Sequence, residues 1–344
     1  MTERWKIAIV GAASLSGKEL NEALSDSAFS TARIALIDDE SQAGQIEASG
    51  GEATVIQPID RDSFDLVDFV FFAGGAEVTR RHWDEALGAG ASIVDLSYSL
   101  EGELGVVVRA PWLVEQSTGA QHEVLNLSTR AIVPAHPVAL ALALIMARLD
   151  ELQVRSASAT VLEPASEYGR AAIDELHQQT VSLLNFQNLP KTVYDEQVAF
   201  NVVPSFGDSK ILGQSEARIR RHYALIREGR MADVGIQLMH APVFHGVGLS
   251  LAVELNEPAS RERVEAALAG EHIEVWQDDV DPPNNLSSAG QSNVLARVRT
   301  QDGTEHATNR FWIWAAFDNL RLSSLNAIAC AMELRRLRPK GKVQ

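Results

Sequence analysis

Residues 5–26 read WKIAIVGAASLSGKELNEALSD, and this stretch decides the fold. The run WKIAIVG has the length and apolar character of a strand buried on both faces, and the residues from 16 onwards carry apolar side chains at helical spacing. Further strand-like runs follow at RIALIDD, DFVFFAGG and SIVDLSY, and the helical segment AEVTRRHWDEALGAGA separates the last two. Strands that alternate with helices predict an α/β class, Rossmann-like, doubly wound parallel sheet.

The pattern changes beyond about residue 150. Longer strand-like runs at VRSASATVLEP, GIQLMHAPVF, GVGLSLAVEL and NVLARVRT have few helices between them, which predicts an α+β domain on a mostly antiparallel sheet. The run FWIWAAF is interpreted as a buried strand. The last helix, LSSLNAIACAMELRRL, has an apolar face and is expected to pack back on the first domain. We therefore expect one domain over 1–131 plus 322–344 and a second over 132–321.

The charge, apolar runs and cysteine content of the chain disfavour several classes of function. The 344 residues carry a formal charge of −16, which disfavours nucleic acid and anionic membrane surfaces as partners. The chain starts without a leader pattern and has no apolar run of the roughly 18 residues that a span needs, so we expect a cytoplasmic protein. Cys330 is the only cysteine, and the nine histidines lack ligand spacing. The sequence therefore predicts neither disulfides nor a metal site.

The first strand–helix turn is a candidate dinucleotide loop. Its glycines would let backbone amides approach a diphosphate, although a tight turn between strand and helix explains the same pattern. Asp38, followed by two more acids, would accept hydrogen bonds from a ribose and repel a 2′-phosphate, so NAD is favoured over NADP, unless the acids are only a solvated turn. The candidate cofactor-binding residues are Gly11, Ala12, Ala13, Ser14, Leu15, Ser16, Gly17, Asp38, Ala73, Gly74 and Gly75.

A second turn of the same kind lies in IVPAHPVALALALIMARL, residues 132–149. A strand that passes through a tight turn into a helix often presents a nucleophile at the helix N-terminus, where the dipole and the amides stabilise negative charge. Here the turn offers Ala135, His136 and Pro137, none of which is an obvious nucleophile.

The motifs together resemble the aspartate-semialdehyde dehydrogenase family. The similarity runs through IAIVGAASLSGKEL, FFAGGAEVTRRHWDEALGAGASIVDLS, AFNVVPSFGD and the closing FWIWAAFDNLRLSSLNAIACAMEL. It implies a Rossmann domain, an α+β domain that forms a homodimer, and a C-terminal helix that returns to the first domain. It also implies hydride transfer at an acyl thioester, in which a cysteine attacks the aldehyde, a nicotinamide takes the hydride, phosphate releases the acyl group and a histidine is the acid/base.

The residues that the resemblance assigns to this chemistry differ here. The cysteine position falls on Pro137, or on Leu127 in an alternative register that matches NLST. The substrate glutamine falls on Glu163 and the catalytic histidine on Val247. The remaining family positions are a substrate arginine at His240, a phosphate arginine at Glu101 and an NADP arginine at Ser41.

These changes are similar to those of the non-catalytic, Usg-type branch of the family. We therefore expect a non-catalytic homodimer with possible residual binding of a dinucleotide or another small molecule. Two alternatives stay open: a retained NAD(P)-dependent semialdehyde dehydrogenase, and an enzyme of different chemistry in the same cleft. The second would use His136, His240, His245 and Glu163 as acid/base groups, with His136 or His245 as substitutes for the missing ones.

Overall fold

A computed structural model describes residues 4–49, 51–116, 125–204, 210–227, 234–303 and 306–337. The chain divides into two compact units. The first comprises the described residues of Met1–Ala135 and Ser323–Gln344, and the second those of His136–Leu322. The end of the AFNVVPSFGD motif lies outside the described residues. Among the described helices, none has the length and apolarity to span a membrane.

The first unit is built from nine strands and four helices of the described residues. The strands are β1 (Lys6–Val10), β2 (Arg33–Asp38), β3 (Ile46–Ser49), β4 (Glu52–Val55), β5 (Gln57–Pro58), β6 (Phe69–Phe72), β7 (Ser92–Asp95), β8 (Val106–Arg109) and β9 (Ala131–Pro134). The helices are α1 (Leu15–Ser25), α2 (Ala76–Gly88), α3 (Pro111–Gln116) and the last helix of the chain, Asn319–Leu337, most of which belongs to this unit.

Seven of these strands form a wholly parallel sheet in the order β5-β2-β1-β6-β7-β9-β8. Leu20 and Leu24 of α1 share one apolar core with Ala327 and Ala331 of the last helix, and Trp83 of α2 belongs to a second core. The Rossmann-like prediction and the return of the last helix to the first unit are thereby confirmed. The carboxyl ends of β1, β2 and β6 bring residues 11–17, Asp38 and residues 73–75 to one edge.

The second unit is built from seven strands and four helices of the described residues. The helices are α4 (Pro137–Arg148), α5 (Arg170–Leu184), α6 (Lys210–Arg227) and α7 (Arg261–Leu268). The helix Asn319–Leu337, most of which belongs to the first unit, is called α8. The strands are β10 (Val154–Glu163), β11 (Val203–Pro204), β12 (Val234–His240), β13 (Val247–Ala259), β14 (Ile273–Val275), β15 (Val294–Thr300) and β16 (Thr308–Phe317). A short 3-10 turn, Ala165–Tyr168, follows β10.

The sheet of the second unit has the order β11-β12-β10-β13-β16-β15-β14. Its pairings are antiparallel except β10 with β12 and β14 with β15, which confirms the predicted mostly antiparallel sheet. FWIWAAF lies in β16 as interpreted, with Phe311 and Ile313 fully buried, but Trp312 between them is 45% exposed. The strand alternates because only one face of this sheet is covered.

Candidate functional site

The glycine loop of the first unit joins β1 to α1. Ser14 is the N-cap of α1: its Oγ accepts a hydrogen bond from the Gly17 amide at 2.9 Å and donates one to the Ala73 carbonyl oxygen at 2.8 Å. One hydroxyl therefore closes the first helical turn and ties the loop to the end of β6. The serine that stands at the usual middle glycine is part of the loop's own architecture.

The glycines of this edge are required by close backbone packing. A Cβ on Gly11, which has φ +87°, would lie 2.2 Å from the Gly74 Cα, and a Cβ on Gly17 would lie 2.3 Å from the Gly11 carbonyl oxygen. By contrast, a Cβ on Gly75 would meet nothing within 4 Å. The packing explains Gly11, Gly17 and Gly74 without a ligand, whereas it leaves Gly75, the N-cap of α2, unexplained.

Asp38 holds the end of β2 against the same loop. Its carboxylate is buried and accepts hydrogen bonds from the Ala13 amide at 2.8 Å and from the Asp39 amide at 2.9 Å. The following acids are more accessible, since Asp39 is half-buried and Glu40 is exposed. The sequence-predicted cofactor residues therefore share one edge, and that edge carries negative charge where a ribose would lie.

The turn before α4 has its backbone donors engaged. The His136 amide donates to Nδ1 of His222 at 2.9 Å, and the Val138 amide donates to Nδ1 of His136 at 3.3 Å. Pro137 between them is the first residue of the helix and has no N–H. His136 and Pro137 are both buried. Residues 135–137 of this turn thus carry no thiol or hydroxyl, and the amides of His136 and Val138 are engaged in hydrogen bonds.

A buried polar cluster in the second unit surrounds the side chain of His136. Nε2 of His136 lies 2.9 Å from an Oε1 of Glu167, whose other oxygen accepts a hydrogen bond from Nδ2 of Asn319 at 3.0 Å. Glu163 at the end of β10 is fully buried and accepts hydrogen bonds from the Ser215 hydroxyl at 2.8 Å and from the Tyr168 hydroxyl. The 3-10 turn that follows β10 places Glu163 and Glu167 beside one another.

The two carboxyl groups of this cluster differ in proton affinity. Burial, reinforced by the charge of Glu167, raises the pKa of Glu163 to about 7 against the opposing effect of His136. Burial acts in the same direction on Glu167, but the charge of His136 and the hydrogen bonds from His136 and Asn319 lower the pKa of Glu167 overall. Glu167 is therefore the ionised partner of His136, and Glu163 holds a proton up to near neutral pH.

His240, at the end of β12, lies next to this cluster. It is fully buried, neither ring nitrogen has a hydrogen-bond partner, and its ring centroid lies 4.8 Å from that of Tyr194 and 6.0 Å from that of Tyr168. Burial lowers the pKa of His240 to about 4, so the imidazole is neutral at pH 7. The residue at the substrate-arginine position of the sequence comparison therefore carries no positive charge.

The other residues singled out from the sequence lie apart from these groups or have no suitable chemistry. Val247 begins β13, is fully buried and pairs with Phe317 in the sheet. His245 is exposed on the preceding turn, and the contacts of Glu163 are to Tyr168 and Ser215 instead. Exposed Ser41 and Leu127, and half-buried Glu101, lie in turns.

Cys330 is buried in α8, where its Sγ donates to the Arg109 carbonyl oxygen at 3.8 Å. Burial and the charge of Glu333 raise the pKa of the Cys330 thiol well above its ordinary value. A protonated, inaccessible thiol does not act as a nucleophile. The interpretation of Cys330 as a packing residue agrees with this environment.

Sequence reasoning missed the partners that complete the buried cluster. Glu167, Tyr168, Ser215 and Asn319 come from a 3-10 turn, α6 and the start of α8, and no fixed spacing links them. The interval of four between Glu163 and Glu167 was a usable signal, but Pro164 between them argued against the helix in which that interval brings side chains together.

Comparison with known proteins matches both units to family descriptions. Residues 6–116 match "Semialdehyde dehydrogenase, NAD binding domain" and residues 143–322 match "Semialdehyde dehydrogenase, dimerisation domain". A USG-1 protein homolog of Azotobacter vinelandii is 32% identical over 330 residues, which cover 94% of this chain and 96% of the relative. The chain belongs to the semialdehyde dehydrogenase family.

Named dehydrogenases of the family are similar over the same length. An aspartate-semialdehyde dehydrogenase of Rickettsia bellii is 26% identical over 344 residues, covering 97% of this chain and 98% of the relative. A solved structure described as a probable aspartate-semialdehyde dehydrogenase from Pseudomonas aeruginosa superposes with a TM-score of 0.82 at 26% identity, covering 98% of this chain and 99% of that one. The first unit accordingly has the family's nucleotide-binding fold.

Proposed function

We propose that this chain is a non-catalytic, Usg-like homologue of aspartate-semialdehyde dehydrogenase: a cytoplasmic homodimer that binds a dinucleotide or another small molecule without oxidising an aldehyde. The observation that carries the proposal is the turn before α4. Pro137 is its central residue, and the backbone donors on either side of it are already engaged by His136 and His222.

Acyl-thioester chemistry needs a thiolate and an amide that stabilises the oxyanion. Pro137 supplies neither, and the alternative position, Leu127, is an exposed aliphatic residue. The only thiol, Cys330, is buried and protonated. Loss of the nucleophile removes the covalent step on which the remaining groups depend, so no single neighbouring substitution compensates for it.

The charges at the positions that the family resemblance assigns to substrate and phosphate also disfavour an anionic substrate. Glu163 brings a carboxyl group to the substrate-glutamine position, neutral His240 replaces a cationic arginine, and Glu101 reverses the charge of the phosphate arginine. His240 and Glu101 remove or reverse a positive charge, and Glu163 adds a negative charge once it loses its proton near pH 7. The test is phosphate-dependent reduction of NAD or NADP with aspartate semialdehyde: absence of turnover supports the proposal, and turnover by the protein itself overturns it.

A second candidate function is acid–base catalysis by the buried cluster. It is favoured by the pKa of about 7 for Glu163, because such a group exchanges protons readily at neutral pH. Against it, the Glu163 carboxyl is fully buried and held by Tyr168 and Ser215, and exposed His245 is not among its contacts. A pH-dependent conversion of any aldehyde substrate that Glu163→Gln abolishes would favour this function over the first.

The acidic end of β2 predicts cofactor preference. We expect NAD to bind more tightly than NADP, because Asp38, Asp39 and Glu40 accept hydroxyl donors and repel a 2′-phosphate. Isothermal titration calorimetry of the full chain with both dinucleotides measures this difference. The substitution Ser41→Arg places a cation on the exposed turn and should tighten NADP about tenfold while leaving NAD unchanged. Tighter binding of NADP than NAD by the unsubstituted chain would contradict the expectation.

We infer that the homodimer forms through the open face of the sheet in the second unit. Along one row of this face, Gly235, Ser158 and Ala252 stand in register beside Trp312 and Arg299. Trp312 is 45% exposed, whereas the first three side chains are small. A large aromatic residue beside a shallow row of small residues is self-complementary under two-fold symmetry, since each copy can offer both.

The substitution Trp312→Glu should dissociate the dimer. We expect the dissociation constant to rise about 100-fold, because an interfacial aromatic anchor is replaced by a charge. Sedimentation velocity across a concentration series measures the change. Phe186→Glu is the matched control, since Phe186 is 98% exposed in the same unit but follows α5 rather than lying on the sheet. Dissociation by the control, with Trp312→Glu still dimeric, would place the interface elsewhere.

A further inference from the structure

We propose that the buried cluster of the second unit is a binding site for a divalent transition-metal ion, with His136, Glu163 and Glu167 as protein ligands. Nε2 of His136 and one carboxylate oxygen from each glutamate all lie within 4.8 Å of one another. This assignment does not rest on the proposed loss of catalysis, because ion binding and aldehyde turnover are measured independently.

The spacing of these donor atoms suits a common ion. At metal–ligand distances of about 2.0–2.2 Å, donors on opposite sides of an ion are about 4.2 Å apart and neighbouring donors about 3 to 3.5 Å apart. The His136 Nε2 and Glu167 Oε1 atoms are already 2.9 Å apart. The three donors therefore come into a coordination sphere by an adjustment of side chains, without a rearrangement of the backbone.

Outer hydrogen bonds already orient the proposed ligands. Ser215 and Tyr168 donate to Glu163, and Asn319 donates to Glu167. Partners of this kind fix the direction of metal-binding carboxylates and are a regular part of metal sites. A divalent ion would also neutralise two carboxylates that burial otherwise forces to carry a proton or to pair with His136.

His240 provides an independent indication of a missing ligand. Both of its ring nitrogens are buried without a hydrogen-bond partner, although buried polar atoms are usually satisfied. Glu163 and His240 are register partners on the neighbouring parallel strands β10 and β12, so their side chains leave the same face of the sheet. A water molecule that completes the coordination sphere of an ion in the cluster would offer a hydrogen bond to the neutral imidazole of His240.

The donor set selects the class of ion. Histidine nitrogens together with carboxylate oxygens suit Zn²⁺ and its neighbours Co²⁺ and Mn²⁺, whereas Ca²⁺ and Mg²⁺ favour oxygen ligands alone. Coordination through Nε2 places the remaining proton of His136 on Nδ1. The Val138 amide then gives up its hydrogen bond to that atom, which at 3.3 Å is longer than the neighbouring contacts of the cluster.

The experiment uses the full-length, tag-free chain stripped with a chelator and titrated with Zn²⁺ by calorimetry, and with Co²⁺ by visible absorption. We expect one ion per chain, the Co²⁺ bands of mixed nitrogen and oxygen coordination, and a higher melting temperature with the ion. Glu163→Gln and Glu167→Gln should each weaken binding about 100-fold. The matched control is Asp174→Asn, which removes an exposed carboxylate on α5 and should leave binding unchanged.

Several results would contradict the proposed metal site. Absence of stoichiometric binding to the stripped chain would overturn the proposal, as would unchanged affinity in both glutamine variants. The Co²⁺ spectrum of the unsubstituted chain provides a test that does not depend on whether a variant folds. Bands that report only oxygen ligands would also contradict an ion held by His136.

Discussion

Purified protein supplied with aspartate semialdehyde, inorganic phosphate and either NAD or NADP should turn over at least about 10⁴-fold more slowly than an active family member assayed beside it, because the covalent nucleophile is absent. The assay follows nicotinamide reduction at 340 nm, the ordinary wavelength for this cofactor. We expect the same result for Pro137→Cys. That substitution restores a thiol and an N–H but leaves Glu163, His240 and Val247 unchanged.

The variant Cys330→Ala makes this assay decisive, because it leaves no cysteine in the chain. A trace of activity in this variant that iodoacetamide inactivates must come from a contaminating thiol enzyme. Activity that survives iodoacetamide and scales with the amount of protein would instead belong to the chain. That outcome would contradict the non-catalytic proposal and favour a reaction without a thiol.

The substitution Gly11→Ala should lower the free energy of unfolding by about 3 to 5 kcal/mol. The added Cβ meets the Gly74 Cα at 2.2 Å, and the backbone φ of +87° strains any residue with a side chain. The Gly74 Cα is a backbone atom and a Cβ has a fixed position on its own backbone, so neither can rotate away. Urea denaturation followed by tryptophan fluorescence measures the loss, and calorimetry with NAD shows whether the loop keeps its ligand.

Gly75→Ala is the matched control for this measurement. Its Cβ would enter open space and its φ of −69° suits any residue, so we expect a change below about 1 kcal/mol. Because Gly75 is exposed at the same edge, loss of NAD binding in this stable variant would support a dinucleotide at the loop. Equal stability of Gly11→Ala and the unsubstituted chain would show that the backbones of Gly11 and Gly74 are not in close contact.

The sequence was sufficient for elements whose pattern was strong. The continuous apolar run at residues 6–10 and the helix over residues 15–25 follow directly from buried-strand and amphipathic patterns. Helix α6 was not predicted, although Leu212, Ile219 and Tyr223 form a buried stripe at helical spacing. The many charged residues between these three interrupt the apolar pattern in the sequence. The hairpin of β3 and β4 was not predicted either, because its strands have four residues each and depend on mutual pairing.

The candidate site was predictable only in part. Resemblance to the family drew attention to Glu163, His240 and the turn at Pro137, because each falls at a recognisable motif. The hydrogen bonds of the Glu163 carboxyl group could not be predicted, since Ser215 lies on a helix about fifty residues further along the chain. Burial, which sets the pKa of both Glu163 and His240, is a property of the folded unit and leaves no local signature in the sequence.

Pro137 has a consequence for any introduction of a thiol at this turn. A proline at the first position of a helix already has the required φ, and it restricts the unfolded chain by the equivalent of about 0.4 to 1 kcal/mol of stability. A substitution of Pro137 by cysteine would lose that stabilisation at once, whereas any catalytic benefit would need further changes. Installing a thiol at this turn therefore begins with a less stable protein.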